Sequence, residues 1–310
     1  MINRRSFIQK SALATGLLSI PSVDLMANSQ TKKISILHTN DQHSRIEPFE
    51  FSSDPQYSNK GGFLRRATLI DEIRKQENHV LLLDAGDIFQ GTPYFNFYGG
   101  ELELRLMSKM GYDLSTLGNH EFDNGLEGLK KQLSNANFDF VNANYDFSNT
   151  ILEGHFKPSK IFRKNGLKIG VFGLGVDLAN LVPKDSYKET KYLNPIEIAQ
   201  DISRDLKNQK CDLIICLSHL GYQFRDQEIV SDLKLARQTK DIDLIIGGHT
   251  HTFLDSPVEV KNSENQSVII NQVGWAGLYL GRIDMYYNPW TKEKKYTAHT
   301  LGIDEKLHLT

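Results

Sequence analysis

Short apolar runs alternate with amphipathic stretches along most of the chain. Ile34-Ser-Ile-Leu-His-Thr39 is β-branched and predicts a buried first strand. After Gly61-Gly62, the positions Phe63, Ala67, Ile70 and Ile73 recur at helical spacing and predict a core-facing helix. The pattern then repeats. Apolar runs at His79–Asp84, Asp113–Leu117, Phe138–Asn142, Cys211–Leu217 and Asp243–Ile246 read as strands. Glu101–Met110, about Asn124 to Ala136, and roughly Glu228 to Thr239 read as helices between them, with Gly111 as a C-cap. Asn194-Pro195 supplies an N-cap and a first-turn proline to a helix whose stripe is Ile196, Ala199, Ile202 and Leu206. Lys160–Phe172 carries Asn165-Gly166 between two apolar runs, which predicts a hairpin with a type I′ turn. Val258–Tyr287 and Tyr296–Ile303 read as further strands. Strands alternating with helices predict an α/β fold. Glu47–Lys60 and Asp177–Lys191 are polar enough to be loops.

Polar residues collect where the apolar runs stop. The first run leads into Asn40-Asp41-Gln42-His43, where Asp41 and His43 share a face if the segment stays extended. The second ends in Asp84-Ala-Gly-Asp87; Asp87 lies past the turn, and Asp84 reads as a residue that hydrogen-bonds the loop backbone. The third delivers Gly118-Asn119-His120-Glu121-Phe122-Asp123. There Asn119 offers an amide oxygen, His120 an imidazole, and Asp123 a carboxylate that can hold that imidazole in one tautomer. Ser218-His219 and Gly247-Gly248-His249-Thr250-His251 end two later strands. Any one of these is an ordinary surface feature. Together they place oxygen and imidazole donors at the carboxyl edge of a sheet, where α/β folds bind ligands. Such donors, without cysteine, suit Mn, Fe, Zn, Co or Ni better than calcium. Asn142 and Asn144 could line the same edge, and Tyr94, Phe95, Phe97 and Tyr98 could stack a substrate ring or pack their loop.

Composition narrows the classes. Among 310 residues, 39% hydrophobic and 24% charged with a formal charge of −2 is ordinary for a soluble domain and gives no sign of affinity for nucleic-acid polymers. The two cysteines, Cys211 and Cys216, are an odd number of residues apart in one predicted strand, so they should face opposite sides as small core residues. Asn3-Arg4-Arg5-Ser6-Phe7-Ile8-Gln9-Lys10, followed by the apolar Ser11–Ile20, resembles a twin-arginine export signal. The expected division is residues 1–27 as signal, with Ala27 last before cleavage, and 28–310 as one catalytic domain delivered to the periplasm or beyond. The apolar stretch is too short for stable membrane insertion.

As an ordered set, Asp41-Gln-His43, Gly86-Asp87, Gly118-Asn-His-Glu121, Ser218-His219 and Gly247-Gly-His-Thr-His251 resemble the motifs of the calcineurin-like metallophosphoesterases. Asp84-Ala-Gly-Asp-Ile-Phe-Gln-Gly-Thr-Pro93 and Gly118–Asp123 are similar to the 5′-nucleotidase, UDP-sugar hydrolase and cyclic phosphodiesterase group. The resemblance implies a four-layer αββα sandwich and two divalent metal ions. One would sit on Asp41, His43, Asp87 and His251, the other on Asp87, Asn119, His219 and His249. His120, paired with Asp123, would stabilise the transition state. The implied substrate is a small phosphate ester of nucleotide type. Members of this group continue into a domain that clamps the nucleobase; here that clamp would come from a separate chain, or the enzyme would act on a broader set of phosphate esters. The competing expectations are a sulfur-ester hydrolase on the same scaffold and a metal- or partner-binding module without catalysis.

Overall fold

The computed structural model describes residues 31–50 and 57–305. The expected export signal and its cleavage point at Ala27 lie outside the described residues, as does the middle of the Glu47–Lys60 loop. The core is two six-stranded sheets packed face to face. The first runs β14-β13-β1-β2-β3-β4, with β1 Lys32–Thr39, β2 Val80–Asp84, β3 Leu114–Ser115, β4 Asp139–Phe140, β13 Tyr279–Tyr287 and β14 Lys294–Gly302. The second runs β11-β12-β10-β9-β7-β6, with β6 Ser159–Lys164, β7 Leu167–Leu174, β9 Leu213–Ser218, β10 Leu244–Gly247, β11 Val258–Lys261 and β12 Ser267–Asn271. A small ribbon pairs β5 Tyr145–Asp146 with β8 Lys191–Tyr192.

Strand alternation builds the layers. Along β1 and β2, Ile34, Ile36, Leu81 and Leu83 point between the sheets, where they meet Ile169, Val171, Ile215, Leu217, Leu244 and Ile246. The intervening Leu37, Val80 and Leu82 face outward, onto helices α1 Phe63–Gln76, α3 Glu101–Met110 and α4 Gly125–Leu133. On the far side, Phe172, Leu174, Cys216 and Ile245 pack under α6 Pro195–Asn208 and α7 Asp232–Gln238. Three apolar cores between four layers are the αββα sandwich. Each fully buried Leu or Ile contributes about 1.5–3 kcal/mol of transfer free energy. Strands β1–β4 are mutually parallel, as are β7, β9, β10 and β12. Their carboxyl ends therefore open on one edge.

Several elements differ from the sequence expectation. Strands β3 and β4 are each only two residues long. The charged helix expected from Glu228 begins at Asp232, where the Ser231 hydroxyl accepts the Lys234 amide at 3.4 Å; the preceding polar residues are exposed loop. Pro93–Tyr98 is a short helix, α2, that buries only Phe95, leaving Phe97 and Tyr98 exposed, so packing accounts for one of those four rings. Lys184–Tyr187 is a helical turn, α5, within the expected Asp177–Lys191 loop, and Leu178 and Val182 anchor that loop in the core. Cys211 and Cys216 are free and buried, but both lie in the same core, because Cys211 precedes β9 rather than standing in it. The Asn165-Gly166 turn is as expected: both residues have positive φ and Lys164 pairs with Leu167. No helix among the described residues is long and apolar enough to cross a membrane.

Candidate metal centre and active site

Five of the strands that end at the open edge run on into candidate ligands. Asp41 and His43 follow β1, Asp87 follows β2, Asn119 follows β3, His219 follows β9, and His249 and His251 follow β10. Five of these seven residues have left-handed backbone: Asp41, His43, Asp87, His249 and His251, with φ between 48° and 74°. For residues other than glycine this conformation is sparsely populated and costs on the order of 1–3 kcal/mol, so it concentrates where side chains must be aimed. Here it turns the ligand atoms inward. The side chains converge as three overlapping groups: Asp41, His43 and His251; His43, Asp87 and His120; and Asp87, His219 and His249.

The polar atoms face one another more than they pair. His43 Nε2 and His251 Nε2 are 2.8 Å apart, and Asp41 Oδ1 is 3.4 Å from the latter. His219 is fully buried; its Nδ1 donates to the Ala85 carbonyl at 2.7 Å, which leaves Nε2 facing inward. That Nε2 makes no hydrogen bond, although Asp87 Oδ2 is 3.0 Å away. Burial lowers the His219 pKa, but the carboxylates of Asp87 and Asp41 overcome it and raise the group to about 10. Burial likewise raises Asp87, and the surrounding His219, His43 and His120 outweigh it to hold the carboxyl far below its usual range. His249 is pushed down to about 4 by burial and by its neighbour His219. Two carboxylates, an amide oxygen and four imidazoles aimed at one another are a donor set that fits divalent cations of the Mn-to-Zn series.

The residues around the ligands hold them in place. Gly118 must be glycine, because a Cβ there would lie 2.2 Å from Asp87 Oδ1 and 2.6 Å from the Asp87 amide nitrogen. The His120 amide donates to Asp87 Oδ1 at 2.8 Å, and the His249 amide donates to Asp41 at 2.9 Å. Beside the ligands, His120 Nδ1 lies 2.8 Å from Asp123 Oδ2, the pairing expected from their spacing. Burial lowers the His120 pKa; the bond to Asp123 and the charge of Asp87 more than offset this and raise it. Asp84 takes the structural role: it accepts from Thr39, Gln42 and Ser115 and from the Gly86 amide. Asn142 and Asn144 are not among the converging side chains; they brace Tyr145 and Gly175 instead.

Two residues at the site escaped the sequence reading. Glu121, 1% exposed, accepts the amides of Gly118 at 2.6 Å, Ile88 at 2.7 Å and Asp87 at 3.0 Å, tying together the loops that carry Asp87 and Asn119. Burial, then the nearby Asp87, push its pKa up to about 7, against the pull of those amides. Its place inside the Gly118–Asp123 stretch was the available signal. Trp275 lies parallel to His251, with centroids 5.6 Å apart and 7° between planes, and meets His43 edge-on. No motif surrounds it in the sequence.

Comparison with known proteins shows the family to which the fold belongs. Residues 34–253 match the family model described as calcineurin-like phosphoesterase. The chain is 36% identical over 279 residues to a snake venom 5′-nucleotidase from Gloydius brevicauda, an overlap that spans 83% of this chain and 45% of that protein. It is similar in structure to a 5′-nucleotidase precursor from Thermus thermophilus, with a TM-score of 0.79 and 33% identity over 89% of this chain and 55% of the other. It is also similar to calcineurin-like phosphoesterase YfkN from Bacillus subtilis, with a TM-score of 0.71 and 27% identity over 88% of this chain and 91% of that one. The chain spans about half the length of the curated relatives it matches.

Proposed function

The chain belongs to the calcineurin-like phosphoesterase family, and from that premise we propose that it is an exported two-metal phosphoesterase acting on nucleotide-type phosphate esters. The observation that carries the proposal is the convergence of Asp41, His43, Asp87, Asn119, His219, His249 and His251 beside a His120–Asp123 pair. Asp41, His43, Asp87 and His251 would hold one cation, and Asp87, Asn119, His219 and His249 would hold the other, Asp87 belonging to both sets. Bound divalent cations supply Lewis-acid polarisation of the phosphoryl oxygens and lower the pKa of water.

The protein's own groups do the rest. The backbone amide of His120 keeps Asp87 fixed in orientation. Asp123 anchors His120 through Nδ1, which leaves Nε2 to donate toward the ester. A water molecule gives up one proton to solvent as its oxygen bonds to phosphorus in line with the departing oxygen; the P–O ester bond breaks, His120 gives its proton to the leaving alkoxide, and solvent reprotonates His120. A raised His120 pKa favours the protonated donor this step needs.

The test is phosphate release by the metal-reconstituted protein from 5′-AMP, UDP-glucose, a 2′,3′-cyclic nucleotide and an aryl phosphate, with His120→Ala alongside. Nucleotide turnover that falls by about 10²–10⁴ in the variant supports the reading. Silence with every cation refutes it. Aryl-ester turnover without nucleotide turnover keeps the phosphoesterase and refutes the substrate. Export is supported by Arg4-Arg5 and the apolar stretch after them; a reporter fused to residues 1–27 that stays in the cytoplasm would refute it.

A further inference from the structure

Phe49, Tyr57, Phe253 and Trp275 belong to none of the three apolar cores. They form a cluster of their own. Phe49 lies 6.0 Å from Tyr57 and 5.9 Å from Trp275, and Tyr57 lies 6.2 Å from Trp275 and 6.3 Å from Phe253, all between ring centroids. The cluster starts at the metal ligands, since Trp275 is stacked on His251, and it runs outward to Phe253, which is 39% exposed. These rings, joined through Phe253 to Tyr279 of β13 at 5.7 Å, lie outside the three cores at the lip of a polar centre.

The rings are held in place. The backbone of Phe253 bridges to Val273, and its ring lies across Gly274, where a Cβ would sit 2.0 Å from ring carbon Cε1. Gly274 therefore makes the space in which the Phe253 ring is seated. The Phe49 amide donates to the Lys60 carbonyl at 2.8 Å, which fixes the base of the second ring. The Arg45 guanidinium stands 3.7 Å over the Phe49 ring, a cation beside the aromatic surface. At the other end of the ligand set a single ring, Phe224, approaches His249 at 6.3 Å.

We infer that Tyr57, Phe253 and Trp275 form a ring-binding wall on this chain itself, which selects esters whose leaving group carries a planar ring. The inference rests on the phosphoesterase reading for its chemistry, but the wall can be tested without turnover. Tyr57 and Phe253 lie beyond Trp275 from the ligands, so the wall suits a ring separated from phosphorus by a sugar, as in a nucleotide, better than a ring attached directly to the ester oxygen. Base–aromatic stacking depends on a π-face rather than on hydrogen-bond readout, so the wall should tolerate different nucleobases.

The experiment compares kcat/KM for 5′-AMP, ribose 5-phosphate and phenyl phosphate in the metal-loaded protein and in Tyr57→Ala and Phe253→Leu. The wild type should prefer 5′-AMP to ribose 5-phosphate, and each variant should reduce that ratio roughly 5- to 100-fold, the range that loss of one stacking partner gives. In a Trp290→Phe background Trp275 is the remaining tryptophan, and its fluorescence should be quenched by adenosine and not by ribose 5-phosphate, with quenching weakened in Phe253→Leu. Equal use of 5′-AMP and ribose 5-phosphate by the wild type, or an unchanged ratio in both variants, overturns the inference. A larger loss for phenyl phosphate than for 5′-AMP overturns its assignment to a sugar-spaced ring. If no ester is cleaved, the phosphoesterase reading fails and fluorescence alone decides: adenosine quenching that Phe253→Leu weakens supports the wall, and no quenching overturns it.

Discussion

Removing Glu121 should unfasten the site from beneath. Its carboxylate is buried and touches only donors: the amides of Gly118, Ile88 and Asp87, with that of Phe89 more distant at 3.4 Å. Those amides favour the ionised form, against the burial that raises the group to about 7, so the comparison belongs at pH 8, where the carboxylate is charged. Glu121→Ala leaves three well-formed buried amides without acceptors. Each such amide costs about 1–3 kcal/mol. Water entering the space left by the side chain recovers part of this, so the lower end, about 3 kcal/mol in total, is the figure to test. That is a large fraction of the roughly 5–15 kcal/mol that stabilises a typical domain. Glu121→Gln keeps the volume and one acceptor oxygen but turns an amide NH₂ toward at least one donor, and should lose about 2 kcal/mol. The assay is urea unfolding of the metal-free protein. With m near 1–3 kcal/mol/M, the Glu121→Ala midpoint should fall by about 1 M or more at unchanged m. The variant should also bind metal more weakly, because both ligand-bearing loops lose their tie. A midpoint within about 0.2 M of wild type would refute the argument that this carboxylate organises the loops.

Gly118→Ala should lower metal affinity by at least about tenfold, measured by titration into metal-free protein, because a Cβ would collide with the Asp87 backbone as well as its side chain. Asp123→Asn should reduce kcat about 10–100-fold while bound metal per chain, measured by elemental analysis, stays at the wild-type value; loss of metal instead would place Asp123 in a different role. Asp284, on β13, provides a pH test away from the ligands. Burial raises its pKa, but the neighbouring Arg282, Ser35 and Lys33 outweigh this and hold the carboxyl below its usual range. A depressed folded-state pKa contributes stability that is present above the unfolded value, near pH 4, and lost as the pH falls through the folded one. Asp284→Asn should therefore cost about 1 kcal/mol at pH 7 by denaturant unfolding, and the gap from wild type should narrow as the pH falls below the unfolded value of about 4.

The residues that converge at the candidate centre were legible as a group because each stands near where an apolar run stops, so strand periodicity locates them at one sheet edge. The layers were legible for the same reason: Ile34 and Ile36 against Leu37, and Leu81 and Leu83 against Leu82, sort into two cores by alternation. What could not be read was whatever depends on the chain meeting itself. The left-handed backbone at Asp41 and Asp87 is imposed by tertiary bonds, such as the Ala276 amide to the Asp41 carbonyl at 2.7 Å, and neither residue type nor spacing announces it. Glu121 was visible as a residue but not as a role, since two of the amides it accepts, those of Asp87 and Ile88, belong to a distant loop. Trp275 was wholly hidden: a tryptophan in an unremarked turn reaches His251 only because β12 and β10 are neighbours in the second sheet. Pairing of β10 with β12 also brings Phe253 to Val273, so one strand register places both the stacked ligand and the outer ring of the aromatic wall. A change that shifts that register should therefore weaken metal binding and ring selectivity together, whereas a substitution confined to either ring should weaken mainly one of them.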